Sequence, residues 1–443
     1  MTDWRLKRRT VAASMLCVLA GSTAWAQQAP PPGELEALKR MIQEVVSQNE
    51  ELKRRVQELE AAMAKRAQAP AEAPKPAAPA PATPAAPEPA PQEVVKAGKA
   101  PFGKIQLGGA IEVEAASRRE AKRNPISHER SSDLALGTAE FDFEADVVDW
   151  GKAELSLQWG AATTETDAIT LNEALLTLAK PSVLPVYLKT GRGVVPFGIS
   201  TGTSVAARLE ETLTITGPLT LDVFESKEDY ALLGVRGYGL HAGAYVFNGT
   251  TDNRVRGKQL EHWGATISYG LKTDLVSFDV GVDWIDSVFD SDGLTAEFAE
   301  LQTRRRKGYA PGVGAHARLG LWGFSLVGEY DVATVGSHFT RAGRPINTRP
   351  EAWQVELGYT TSLFGVRPFG AFNYSETSGL PGTLSTSTHA GFPKNRKLGA
   401  VGAFLSDNVR VALEYNSEED TSTAFFGTGK DSQFWTLRLT YEW

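Results

Sequence analysis
Charged side chains recur at every second position in several parts of this chain. Glu112 and Glu114 come first, then Glu140, Asp142, Glu144 and Asp146, with Glu154 beyond them. Arg318, Arg367, Arg410 and Arg438 follow later, accompanied by Glu329, Glu356 and Glu414. A spacing of two puts such groups on one face of an extended strand. Rows of carboxylates facing guanidinium groups offer electrostatic chemistry: they orient and sort charged solutes without breaking bonds. The plainer reading is that they solvate a wet interior. Bond-making chemistry has weaker support, and neither an enzyme, a metal nor a cofactor is expected. His128, His241, His262, His316, His338 and His389 are scattered without ligand-like spacing. The glycine-rich run Gly234 to Gly239 sits at a strand turn rather than before a helix, so it is no nucleotide loop. Cys17 is the only cysteine, which excludes disulfides and cysteine-based metal or redox chemistry from the rest of the chain.

The elements that must position these charges follow from the patterning. The chain has 443 residues, 42% of them hydrophobic and 22% charged, with a formal net charge of -7. A basic footprint for nucleic acid is missing. Arg5, Lys7, Arg8 and Arg9, then the short apolar run Val11 to Ala20 and Ala24-Trp25-Ala26, predict a cleaved signal peptide over 1–26. Such a run is too short to cross about 30 Å of hydrocarbon. Over 34–64, Leu35, Ile42, Asn49 and Val56 share one heptad position and Leu38, Val45, Leu52 and Leu59 the other. That spacing predicts a coiled coil and a homo-oligomer, with polar Asn49 fixing register; the strand number stays open. Residues 65–100 are an Ala/Pro-rich spacer, which in polyproline form would reach roughly 100 Å.

From 101 to 443 the period is two. Ile105, Leu107, Ile111 and Val113 alternate with polar residues, as do Phe141 and Phe143, then Val276 to Trp284, then Trp435, Leu437, Leu439, Tyr441 and Trp443. Strands fall near 104–116, 134–148, 152–162, 169–179, 185–193, 228–237, 240–248, 260–270, 274–286, 308–319, 322–334, 350–361, 365–375, 394–405, 408–417 and 431–443. Tight joints at Asp149-Trp150-Gly151, Tyr238-Gly239, Leu271-Lys272-Thr273, Leu321, Ser362-Leu363-Phe364 and Ser406-Asp407 alternate with joints of six to thirty-four residues. Short turns on one end, long loops on the other and an even strand count predict an all-β transmembrane barrel of about sixteen antiparallel strands. It is preceded by the coiled-coil helix and the Pro/Ala-rich linker. Trp150, Tyr269, Trp322 and Phe364 beside the turns suit an aromatic girdle. The expected location is the bacterial outer membrane, among its lipid and lipopolysaccharide, with the coiled coil in the periplasm. A structural tether between outer membrane and cell wall is the alternative role.

The stretch Val186 to Arg192, followed by Val195-Pro196-Phe197-Gly198, resembles a G-(R/K)-x-x-x-P-F-G run of bacterial porins. Gly217 to Leu221, Glu225-Ser226 and Ala244 to Gly249 make the chain similar to the LbtU family of siderophore porins. The resemblance implies passage of a ferric siderophore through an unplugged barrel. The same run occurs in phosphate-selective porins, although abundant carboxylates disfavour a highly anionic solute. The thirty-four residues from Val194 to Lys227, with Glu210, Glu211, Asp222 and Glu225, match the place where porins fold a constriction loop inward. An external lid or one further short strand around Thr212 to Ile215 are the alternatives. Arg304 to Lys307 form a basic run suited to lipopolysaccharide or an anionic chelate, or simply a solvated loop.

Overall fold
The computed structural model describes residues 54, 104–123, 126–159, 169–199, 212–249, 260, 262–273, 275–297, 310–341, 344–380, 392–423 and 427–443. The chain divides into two compact units, Met1–Val94 and Val95–Trp443, and every strand among the described residues belongs to the second. The signal peptide, the coiled coil apart from Arg54, with all of its seam from Leu35 to Leu59, the spacer, Glu210, Glu211 and Arg304 to Lys307 lie outside the described residues.

Among the described residues, sixteen strands close into one antiparallel barrel. They are β1 Ile105–Arg123, β2 Ile126–Val148, β3 Gly151–Trp159, β4 Ile169–Ala179, β5 Val186–Val194, β6 Lys227–Gly237, β7 Leu240–Phe247 and β8 His262–Lys272. After β9 Val276–Ile285, β10 Gly312–Leu321 and β11 Phe324–Ala333, a separate hairpin, β12 Ser337–Arg341 with β13 Arg344–Thr348, stands off the barrel. The wall resumes with β14 Glu351–Thr360, β15 Arg367–Ser378, β16 Asn395–Phe404, β17 Val409–Glu419 and β18 Asp431–Glu442. Two short helices, α1 Leu219–Phe224 and α2 Asp292–Glu297, lie in the joints after β5 and β9.

Alternation sets the two faces. Closure pairs Ile111 with Tyr441 and Val113 with Leu439, all exposed outward, and pairs Glu112 with Thr440 and Glu114 with Arg438 on the inner face. Exposed Leu107, Leu233, Ile267, Val282, Leu357, Phe372, Val401 and Leu437 extend the apolar belt around the wall. A belt of that extent suits lipid and not water. Closure also leaves no unpaired backbone edge to meet it. Eight residues separate Trp435 from Trp443, about 26 Å along the strand at roughly 3.3 Å per residue. Trp443 docks its ring against Gly109 and donates its N–H to the Gly109 carbonyl at 3.1 Å, so the C-terminus is sewn into the seam.

Three turns are built on an aromatic followed by glycine: Tyr238-Gly239, Trp322-Gly323 and Phe364-Gly365, with φ of 53 and 83, 51 and 84, and 50 and 83 degrees. Positive φ at both positions is the mirror turn whose twist matches paired strands. The turn expected at Leu321 therefore sits one residue later, because Leu321 still pairs with Phe324. The first long joint is also corrected. β1 and β2 stay paired out to Arg123 and Ile126, far beyond the expected 116 and 134. The β12–β13 hairpin was not expected, and the β4–β5 joint, at the same end as the tight turns, runs from Lys180 to Pro185.

Candidate functional site
The joint between β5 and β6 turns back into the barrel. Residues 212–217 run there as an irregular strip that bends through 213–216, and no neighbouring strand pairs with it among the described residues. A buried backbone needs partners, and wall side chains supply them. Glu356 of β14 accepts from the Thr212 and Thr214 hydroxyls and from the Leu213 amide at 2.9 Å. Glu414 of β17 accepts from the amides of Ile215 at 2.6 Å and Thr216 at 3.1 Å. Three arginines take alternate carbonyls: Arg410 donates to Leu213, Arg438 to Ile215 at 3.5 Å and Arg396 to Gly217 at 2.6 Å. The Thr/Leu/Thr/Ile alternation thus sends hydroxyls to Glu356 and seats Ile215 and Leu213 against Phe369, Phe404 and Ala412. It forms neither an added strand nor an external lid.

Both ends of the strip are held. Arg396 of β16, buried, bridges Asp222 of α1 and Glu418, each at 2.7 Å. Asp222 keeps 39% of its side chain exposed; burial of the site raises its carboxyl above the ordinary range, and the Arg396 guanidinium offsets only part of that rise. Glu329 of β11 accepts from the Ile199 amide, the Thr220 hydroxyl and, at 2.8 Å, the Gln354 amide. Asp283 of β9 accepts from the Gly198 amide at 3.1 Å. Gly198 has φ of 73 degrees, and a Cβ there would meet a Glu329 oxygen at 2.4 Å, so the residue must be glycine.

The second attachment is apolar. Val195 and Phe197, with Val223 and Phe224 of α1, pack inside the barrel on Leu232, Tyr245, Phe247 and Ile285 of the wall. The Tyr245 hydroxyl donates to the Pro196 carbonyl at 3.0 Å. Phe289 and Leu294 come in from the joint after β9, and the Asp292 amide donates to the Glu225 carbonyl at 2.9 Å. The motif pieces Val195 to Gly198, Gly217 to Leu221 and Ala244 to Gly249 therefore converge on one internal anchor.

The expected charged arcs occupy the inner face but do not confront each other across an open pore. Glu112 is buried, and with Glu114 it pairs directly with Arg438, Glu112 at 3.2 Å, because β18 is the neighbour of β1. Arg410 stacks on Phe369 at 4.7 Å. Arg367 lies at the turn end, 3.5 Å from Asp407, and Arg318 pairs across β10 with Asp279 and Val327 positions. The register faces Glu140, Asp142, Glu144, Glu154 and Glu173 inward on β2 to β4, where Lys152 bridges Glu144 at 2.7 Å and Glu154 at 2.9 Å. Asp146 sits exposed at the turn end. Among the described residues, no hydrogen bond or ion pair ties the strip to Asp142, Glu144 or Glu154.

Two histidines that looked idle in the sequence have acidic partners. His262 lies 3.4 Å from Asp286 and 3.6 Å from Asp290, and His316 lies between Asp279 at 3.3 Å and Asp283 at 3.4 Å. Their partners come from strand registers and a loop that spacing cannot reveal. Arg396 and Gln354 were also missed, since each reads as an ordinary lumen residue until the inner segment meets it. Among the described residues no group of three or more His, Cys, Asp or Glu is placed to hold a metal.

No family model matches the chain. It is 25% identical over 314 residues to a UPF0422 protein of Coxiella burnetii, covering 68% of this chain and 62% of that one. A UPF0422 protein of Legionella pneumophila strain Paris is 23% identical over 351 residues, 73% of this chain and 61% of the other. The chain thus spans about 62% of the length of the curated relatives it matches. Among solved structures it is similar to the outer membrane channel DcaP of Acinetobacter baumannii, with a TM-score of 0.49, 12% identity and coverage of 76% and 97%. OprB of Pseudomonas putida gives 0.46, 9%, and 76% and 94%; OmpT, an outer membrane protein of Vibrio cholerae, gives 0.44, 10%, and 80% and 100%. With these scores below 0.5, the functional reading rests on the interior itself.

Proposed function
We propose that this chain is an outer-membrane porin: a water-filled channel for small polar solutes, narrowed by the strip 212–217. One observation carries the reading. A segment of the chain lies inside a closed sixteen-stranded wall, and wall side chains bind its amides and carbonyls. A barrel of that size is wide enough for an aqueous lumen, and the outer belt supports placement in lipid. The passage runs beside the acidic wall of β2 to β4. Arg396, Arg410 and Arg438 are consumed in holding the strip and pairing with Glu112, Glu114, Asp222 and Glu418. The field left over the passage is negative and favours cationic groups over anionic ones. That disfavours a phosphate porin. Ferric-siderophore passage is the finer reading, supported by the convergence of the resembling motifs on the inner segment.

Purified full chain in planar bilayers is expected to give stepwise conductance, and silent bilayers at high protein load would remove the channel reading. Liposomes carrying the protein should also pass a ferric siderophore with cationic groups faster than inorganic phosphate. Equal exclusion of both, with small sugars still passing, would leave a general pore and sink the siderophore reading.

A further inference from the structure
On the outer face of the seam, alternation carries the row Ile111, Val113, Ser117 and Arg119 upward past the apolar belt toward the long-loop end. Ser117 pairs with Trp435 of β18 and Ser132 of β2, and Arg119 pairs with Gln433 and Arg130. Trp435, tilted against Tyr415 with centroids 4.8 Å apart, is the last outward aromatic of β18 at this end. Arg119 lies two residues above its rung, about 7 Å along the strand. The polar layer of a bilayer begins at that height and is roughly 5–8 Å deep on each side.

Arg119 and Arg130 are directly opposite each other across the ladder. Like charges in that position destabilise a sheet. Among the described residues no carboxylate is within ion-pair distance of either; Arg119 contacts only the His128 ring, at 3.4 Å. The pair lines a cleft of about 450 Å³ with Arg118, Ser117, Ser132 and Trp435. Arg119 and Arg130, two serine hydroxyls and the Gln433 amide surround one opening that no carboxylate lines, a setting complementary to a phosphate group. One outward rung below Ser117, Leu134 and Leu437 flank Ala115; Leu134 is 73% exposed, and Trp435 at the cleft is 51% exposed. A free phosphate has no use for that apolar floor, whereas a phosphate attached to acyl chains does.

We propose that Arg119 and Arg130, with Ser117 and Ser132, bind the phosphate of an outer-leaflet glycolipid whose acyl chains lie along Trp435 and Leu134. The proposal rests on the outer-membrane reading above and deepens it by naming a lipid partner and its site. The anion relieves the repulsion within the arginine pair and fastens lipid to the strands that close the barrel.

The test uses the full chain in lipid nanodiscs, with lipid A, dephosphorylated lipid A and inorganic phosphate as probes, followed by native mass spectrometry. Lipid A is expected to bind tightest, and Arg119→Gln with Arg130→Gln to weaken it roughly thirtyfold without changing dephosphorylated lipid A. Arg119→Lys with Arg130→Lys should recover most of the affinity. Equal binding of phosphorylated and dephosphorylated lipid, or inorganic phosphate competing as well as lipid A, would overturn the site. So would a glutamine variant that changes the number of subunits but not lipid affinity, since the cleft would then face another copy. Bilayer conductance of the same preparations separates the two levels: channels that conduct but ignore lipid A sink only this site, and loss of conductance in the wild type sinks the channel.

Discussion
Replacing Glu414 with alanine removes the acceptor for two consecutive amides of the inner strip, Ile215 at 2.6 Å and Thr216 at 3.1 Å. Bonds to an ionised group contribute about 1.5–3 kcal/mol each, or roughly 3–6 kcal/mol for the pair in a dry setting. Water entering the lumen replaces part of this, leaving a net loss of about 2–3 kcal/mol. Glu356 and the three arginines keep their contacts, so the strip still docks, but its release becomes roughly 30- to 150-fold more frequent at 1.4 kcal/mol per tenfold. Single-channel recording should show a noisier current with excursions to a larger conductance. Leu413→Ala, one residue away but facing outward and exposed, should record like the wild type. Unchanged noise and conductance in both Glu414→Ala and Glu356→Ala would refute the view that these carboxylates hold a constriction.

Arg396→Ala frees Asp222, Glu418 and the Gly217 carbonyl together; discounted for the exposure of Asp222, the loss is about 2 kcal/mol, and proteolysis within 212–224 should accelerate. Arg438→Ala takes the guanidinium away from the buried Glu112 at the seam, leaving its charge without a counter-ion from β18 though still bonded by the Thr440 hydroxyl, at a cost of about 3 kcal/mol, so the temperature at which the folded band disappears in semi-native electrophoresis should fall; Glu112→Gln in the same background should restore part of it. Gly198→Ala puts a Cβ at 2.4 Å from Glu329 in a positive-φ residue; it should loosen the 197–199 attachment while leaving the barrel's circular dichroism intact. Trp443→Ala removes the ring docked on Gly109 and should slow in vitro insertion into detergent micelles.

Much of the wall was legible because a belt against lipid and a lumen against water impose period two on every residue between them. Ile111, Glu112 and Val113, or Leu437, Arg438 and Leu439, can be assigned to faces by inspection. That constraint lapses above the belt. Apart from Ala121, Ser117 to Lys122 and Ser127 to Asp133 are polar on both faces, so their alternation vanishes although β1 and β2 remain paired. The β12–β13 hairpin escaped notice for the same reason. Inside, the length of the 194–227 joint and its carboxylates pointed to an inward segment, but their roles could not be read. Glu356 and Glu414 act on backbone amides far away in sequence, and Arg396 meets Asp222, 174 positions earlier in the chain, only once the inner segment is folded in. Thr212 to Ile215 resembles a strand in sequence because Thr, Leu, Thr and Ile alternate; the structure bends there, and side chains, not a neighbouring strand, satisfy its backbone.

The channel with a residual negative field is tested most directly by the reversal potential of the wild-type channel under a tenfold KCl gradient. The expected potential has the sign set by potassium and moves toward zero when Glu140, Asp142 and Glu154 are changed to Gln, Asn and Gln. A chloride-set potential, or one indifferent to those three substitutions, would contradict a negative passage.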